Sequence, residues 1–209
     1  MATGAYLQDV FTRYIDETKV NTILELGSRD ALDAVELSDH YNADVYSFEC
    51  NPSAIEICKG TIGDHKRVHL IEKAVWDEEG TISFYPVING NTGASSCFVA
   101  IDDYKYETYE QDEVLVPAIR LEGWFAETGV SPDLICIDLQ GAELRALKGM
   151  GEIPASVKYI ITEGQTKPIY EGVNLIPEIE DYLEDFGFSI RAECLINPYF
   201  GDFLFVRDA

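Results

Sequence analysis

The stretch ILELGSRDA, residues 23–31, constrains this chain more than any other. An apolar run ends at Gly27, a tight turn follows, and a polar opening leads into a helical pattern over residues 30–41. The unbroken apolar character of residues 22–26 suits a parallel strand covered on both faces. Two later strands end in acids: VYSFECNP (45–52) carries Glu49, and LICIDLQGAE (134–143) carries Asp138. In an open parallel sheet, ligands sit outside the carboxyl ends of the strands where the winding reverses. If the first strand starts the winding, it lies between these two, and Gly27, Glu49 and Asp138 face one crevice.

The rest of the pattern is mostly alternating strands and helices. Residues 5–18 carry apolar side chains at helical spacing, which predicts an amphipathic helix within the first twenty residues. Strands are expected over 22–26, 43–49, 68–75, 134–138 and 159–162, with Asn51 and Pro52 opening a helix by a cap and a first-turn proline. Further helices are expected over 121–128, from 142, and over 176–186. Residues 80–85 and 113–119 form an inserted strand pair, and 188–193 with 203–207 a closing hairpin. The expected fold is α/β: a mostly parallel seven-stranded sheet with a C-terminal antiparallel hairpin, in one domain over residues 1–209. Between the inserted strands, residues 89–113 are polar, acidic and tyrosine-rich, and a connection of that length points to a flap over the site. Tyr104, Tyr106 and Tyr109 in it suit either a solvated flap or a surface that stacks on a sugar.

Composition narrows the partners. A formal net charge of -23, with no basic cluster, argues against nucleic acid and anionic lipid, whose phosphates need Lys and Arg. No run is apolar and long enough to insert in a membrane, and the amino terminus lacks the pattern of a secretory signal. Five cysteines without a CxxC pair suit reduced thiols, so the expected compartment is the cytoplasm. His40, His65 and His69 show no ligand spacing. Oligomeric state leaves no mark in the chain.

The turn discriminates between cofactors. A dinucleotide fingerprint wants G-x-G-x-x-G, so that a pyrophosphate lies on a helix N-terminus. Here the turn is GSRDAL: two glycines are missing, and Asp30 would face the pyrophosphate with its own negative charge. S-adenosylmethionine carries an ammonium and a sulfonium and no phosphate, and Glu25 and Asp30 would favour both charges. Glu49, about 20 residues after the glycine, is placed to grip a ribose diol.

ILELGSRDA, VYSFECNP, IEKAVWDEEGTISFY, GNTGASS and DLICIDLQGAELRALKGM with YIITEG occur in the order seen in FkbM-type methyltransferases, and the chain resembles that family over about residues 20–165. The resemblance implies a Rossmann-like class I methyltransferase that uses S-adenosylmethionine, releases S-adenosylhomocysteine, and methylates hydroxyls of sugars, polyketides or similar small molecules. It places Glu25, Gly27 and Ser28, with Arg29 and Asp30, at the methionine end, and Glu49 on the ribose. Cys50 and Asn51 would flank the adenine, with Ala74 and Val75 lining it. Ser95 and Ser96 would meet the cofactor or acceptor, and Gln140 and Glu143 are further candidate acceptor contacts. The chain departs from the family's usual residues at Asp30, Ala31, Cys136 and Gln140, where Asn, Gly, Lys and Glu are common.

For the transfer itself, Asp138 at the end of its strand is the first candidate base, and Glu163 at the end of the next is the second. Neighbouring strands lie about 4.8 Å apart, so two such carboxylates either raise one pKa or share a divalent cation. Glu143 starts a helix, where the dipole alone favours a carboxylate. Two rival readings remain at this level: an NAD-type oxidoreductase, and a non-catalytic binding module of the same fold.

Overall fold

The computed structural model describes residues 5–208. The central sheet has seven strands. In chain order the strands are β1 (Thr22–Leu26), β2 (Asp44–Phe48), β3 (Val68–Ile71), β4 (Ala74–Trp76), β5 (Gly80–Phe84), β6 (Val87–Asn89), β7 (Glu110–Gln111), β8 (Val114–Arg120), β9 (Leu134–Ile137), β10 (Tyr159–Gln165), β11 (Phe188–Asn197) and β12 (Phe200–Arg207). The main sheet runs β11-β12-β10-β9-β1-β2-β3, parallel from β10 to β3, with β12 antiparallel to both its neighbours. β1 thus lies between β2 and β9, as the winding argument requires.

The helices are α1 (Asp9–Thr12), α2 (Leu32–Tyr41), α3 (Pro52–Ile62), α4 (Leu121–Thr128), α5 (Glu143–Gly149) and α6 (Ile176–Glu184). Alternation along β1 divides two cores. Leu24 and Leu26 join Phe125, Leu147 and Leu183 from α4, α5 and α6, while Ile23 joins Phe11, Ala34 and Leu37 on the opposite face. Each fully buried Leu or Ile stabilises by roughly 1.5–3 kcal/mol, so both faces of the parallel strands are held by packing.

Three expectations change. The helix predicted over residues 5–18 is interrupted: a 3₁₀ turn at Ala5–Leu7, the single turn of α1, and another 3₁₀ turn at Glu17–Lys19. Gln8 is extended at φ -69 and ψ 141, and the Asp16 carboxylate accepts the Thr18 N–H, a local bond that competes with a continuing helix. Residues 1–4, at the start of the chain, lie outside the described residues. The strand predicted over 68–75 splits, because β3 pairs with β2 whereas β4 pairs with β8. The inserted pair β5 and β8 therefore sits in a sheet of three, ordered β4-β8-β5, beside the short β6–β7 ladder. In α2 the apolar spacing over 30–41 predicts Leu32, Val35 and either Leu37 or Tyr41 inward, but Leu32 is 53% exposed, and Leu37 and Tyr41 are the buried anchors.

All five cysteines are free thiols. His40, His65 and His69 face Glu17, Asp39 and Asp44 as surface pairs. Among the described residues no helix is long and apolar enough to cross a membrane.

Candidate active site

The turn after β1 is built by backbone contacts. The N–H groups of Gly27 and Ser28 both donate to the Phe48 carbonyl at 3.0 Å, and the Asp138 N–H donates to the Leu26 carbonyl at 2.9 Å. Gly27 has φ +94, and a Cβ there would stand 1.8 Å from the Asp138 carbonyl oxygen. Only glycine lets the three strand ends meet this closely. Arg29 and Ala31 follow in the left-handed region, at φ 54 and 61. The Leu32 N–H donates to Asp30 Oδ1 at 3.1 Å, and Asp30 Oδ2 pairs with Arg29, so Asp30 caps the start of α2.

Glu49 is 8% exposed and is held by three N–H donors. Arg29 donates to Oε2 at 2.7 Å; Cys50 and Asn51 donate to Oε1 at 2.8 and 2.7 Å. A carboxylate offers about four lone-pair directions, and the one left free is on Oε2. Burial pushes the Glu49 pKa up, and the three backbone donors oppose it. Asn51 also caps α3 by accepting the Ser53 N–H at 3.1 Å, with Pro52 in the first turn as expected.

Glu25 is buried in β1. Its Oε2 accepts the Ser47 hydroxyl at 2.5 Å, and Ser47 Oγ lies 2.7 Å from Ser28 Oγ. Burial raises the Glu25 pKa to about 7, and the serine hydroxyls restrain the rise. Ala74 packs in a small cluster with Phe84, Val116 and Ala118, bordered by Cys50, while Val75 packs with Phe48 in the main core.

Asp138 directly follows β9, whereas β10 runs past the expected end at Thr162 to Gln165, so Glu163 lies within it, one step beyond the Ile137–Thr162 pair, and one side chain joins the two acids. Gln140 Nε2 donates to Asp138 Oδ1 at 2.6 Å and to Glu163 Oε1 at 2.8 Å. The Tyr170 hydroxyl faces Gln140 Oε1 at 2.8 Å and the Ala94 carbonyl at 2.9 Å, sharing its proton between them. Burial raises the Asp138 pKa, and the Gln140 donor and Arg29 charge oppose that rise. Glu163, 5% exposed, is raised well above the usual carboxylate range by burial and then by the charges of Asp138, Glu143 and Asp202. Asp138 is half-buried and the less enclosed member of the pair.

Glu143 completes a triad with Asp138 and Glu163, with ligand oxygens within 4.8 Å of one another. Its Oε1, however, accepts the N–H groups of Leu139 and Gly141, both at 3.0 Å, so it fixes the turn after β9. Burial lifts its pKa to about 7. With Gln140 N–H groups on the other two acids, this donor set favours an internal brace over a cation cage. Ser95 donates to the Thr92 carbonyl at 2.7 Å, and Ser96, fully buried, donates to the Gln140 carbonyl at 2.7 Å. Both hydroxyls, which the resemblance places at the cofactor or acceptor, anchor the 89–113 segment. Gln140, a candidate acceptor contact, bonds Asp138, Glu163 and Tyr170.

Several residues at this edge carry no motif that would have marked them beforehand. Asp202 lies directly opposite Glu163 in the β10–β12 register, 6% exposed, its pKa raised to about 7 by burial and by Asp138. A lone acid inside the apolar strand FGDFLFV is the one signal that could have found it. Tyr6, in the first 3₁₀ turn, is buried, and burial with the charges of Asp138 and Glu25 raises its pKa well above the usual phenol range. Tyr104 is 7% exposed in an aromatic cluster with Tyr109 and Tyr199, whereas Tyr106 is 57% exposed.

The Methyltransferase FkbM domain matches residues 27–190. The chain belongs to the FkbM methyltransferase family. It is 31% identical over 175 residues to the 2-O-methyltransferase NoeI of Sinorhizobium fredii, covering 78% of this chain and 71% of that protein. Among solved structures, magnesium protoporphyrin IX methyltransferase of Synechocystis PCC 6803, with bound SAM, aligns over 94% of this chain and 74% of its own, at 10% identity and a TM-score of 0.53. Precorrin-6y C5,15-methyltransferase of Geobacter metallireducens aligns over 99% and 94%, at 12% identity and a TM-score of 0.53. The FkbM protein described here is thus an S-adenosylmethionine-dependent methyltransferase with a Rossmann-like class I fold. That finding removes the NAD-type oxidoreductase and the non-catalytic module as readings.

Proposed function

We propose that this FkbM methyltransferase moves the methyl group of S-adenosylmethionine onto a hydroxyl of a small molecule, a sugar or glycan. The cofactor lies in the crevice between β1 and β2. Its ammonium and sulfonium are favoured by Glu25 and the acids beyond Gly27, its ribose meets the open lone pair of Glu49, and its adenine lies near Cys50, Asn51, Ala74 and Val75. The observation that carries the reading is the Asp138–Gln140–Glu163 array where β9 ends beside β10, carboxylates with raised pKa values beside the cofactor crevice.

In the transfer, an acceptor oxygen attacks the methyl carbon as the carbon–sulfur bond breaks, and the hydroxyl proton passes to Asp138. S-adenosylhomocysteine leaves. Most of the acceleration comes from holding oxygen, carbon and sulfur in line at contact distance. The base adds about 10²–10⁴-fold. The hydroxyl assignment is supported by the relative named as a 2-O-methyltransferase, and the sugar class by the resemblance to the family. The acidic surface points the same way, toward an uncharged acceptor over an anionic one.

A mass-spectrometric screen of oligosaccharides with the purified protein and S-adenosylmethionine tests this. One added methyl per acceptor is expected. Asp138→Asn is expected to keep S-adenosylhomocysteine affinity and lose about 10²–10⁴-fold in turnover. Full turnover in that variant would move the base elsewhere, and methyl transfer confined to amines would overturn the hydroxyl assignment.

A further inference from the structure

We propose that the Gln140 amide is a positioning residue, a neutral brace that sets Asp138 and Glu163 where a divalent cation would otherwise be needed. Its two N–H groups are used one per carboxylate, at 2.6 and 2.8 Å, and its carbonyl oxygen faces the Tyr170 hydroxyl at 2.8 Å. Every polar atom of the side chain is engaged. A cation bridging Asp138 and Glu163 would compete with these donors for one oxygen of each acid, and Glu143 already has one oxygen on the turn N–H groups.

The backbone of Gln140 is built for this task. Its φ is +51, a left-handed conformation that a non-glycine residue adopts only under strain. The conformation aims the amide back across the end of β9 to Glu163 on β10. Gly141, next in the chain at φ +105, leaves no room for a side chain, since a Cβ would stand 2.6 Å from Val173 Cγ1.

The brace also reaches the 89–113 segment. Ser96 donates to the Gln140 main-chain carbonyl, and the Tyr170 hydroxyl joins the side-chain Oε1 of Gln140 to the Ala94 carbonyl. The same segment is tied to the loop after β10 by the Ile101 N–H to the Ile169 carbonyl and the Glu171 N–H to the Val99 carbonyl. One amide therefore links the acid pair to the loops that frame the acceptor side.

The test has two arms. The kinetic arm rests on the methyl-transfer reading; the metal arm does not, so their failures are distinguishable. Gln140→Ala is expected to lower kcat on the order of 10²-fold, with KM for S-adenosylmethionine unchanged, because the acids lose their relative placement. Tyr170→Phe is expected to act through the same brace, so its loss and that of Gln140→Ala do not add. For the metal arm, Mn²⁺ binding is followed by paramagnetic resonance. Gln140→Glu is expected to hold one Mn²⁺ at least tenfold more tightly than the parent, and Asp138→Asn in that background to abolish it. A parent protein that binds Mn²⁺ as tightly as Gln140→Glu, through Asp138, overturns the proposal. So does a folded Gln140→Ala protein with parental kcat; melting and S-adenosylhomocysteine binding establish that it is folded.

Discussion

The two edges of the crevice are assembled by different means. At the β1–β2 strand ends the donors are backbone N–H groups: three converge on Glu49, and two more bind the Phe48 carbonyl. On the β9–β10 side the contacts that set Asp138 and Glu163 run between side chains, from Gln140 to both acids and to Tyr170. Backbone donors are placed by the fold and cannot rotate away. A side-chain brace can be retuned by one substitution. The contrast suits a site that keeps one cofactor while its acceptor edge remains open to change.

The first way to break the comparison is at the glycine both edges share. Gly27→Ala is expected to have the largest effect, since the added Cβ meets the Asp138 carbonyl oxygen at 1.8 Å. Backbone must move at the ends of β1 and β9 together. Loss of S-adenosylhomocysteine binding with a melting temperature lowered by several degrees is expected; calorimetry and thermal unfolding read both. A variant with parental affinity would mean that the turn is not part of the cofactor site.

Glu49→Ala comes next and acts on the cofactor edge alone. It removes the acceptor of three buried N–H groups as well as the proposed ribose contact. Unsatisfied buried donors cost about 1–3 kcal/mol each, so part of the loss will register as stability and part as affinity. At least a tenfold weaker S-adenosylhomocysteine affinity is expected by calorimetry. Glu49→Gln sharpens the result, because its one carbonyl oxygen can keep the Cys50 and Asn51 donors but not that of Arg29. Unchanged affinity in both variants would remove the ribose assignment.

The same contrast explains what could be read from the chain. Gly27, Glu49 and Asp138 stand at strand ends that announce themselves by local apolar runs, and the Asn51–Pro52 start of α3 is a contiguous signal. The brace is not local. Gln140 meets Glu163 across 23 residues, Tyr170 across 30 and Ser96 across 44. No periodicity marks such partners; only the packed loops bring them together. The split between β3 and β4 is hidden for a related reason, since an apolar run does not say which sheet each half will join. The N-terminal segment differs in another way: its apolar spacing does mark buried residues, Phe11 and Ile15 among them, but Gln8 and Asp16 break the helix that would carry them.

The smallest effect compares one buried acid from each edge. Burial raises Glu25 on the cofactor side and Glu143 on the acceptor side each to about 7. An unfolded glutamate ionises at about 4.3, and a tenfold change in an ionisation constant corresponds to about 1.4 kcal/mol. Between those pH values the folded protein binds more protons than the unfolded chain, so stability falls as pH rises. The contribution is complete below the unfolded pKa and gone once pH passes about 7. The melting temperature is therefore expected to decline from about pH 5 to about pH 8, and Glu25→Gln and Glu143→Gln each to flatten the decline in part. Saturating S-adenosylmethionine separates the two edges: its positive charges beside Glu25 favour the carboxylate and pull that pKa down, while Glu143, held by its turn N–H groups, stays raised. Ligand should flatten the pH dependence of the Glu143→Gln protein further and leave that of Glu25→Gln nearly as it was. Equal flattening in both variants would mean that the cofactor's charges reach the two acids alike, and that the division of the crevice into two edges is electrostatically false.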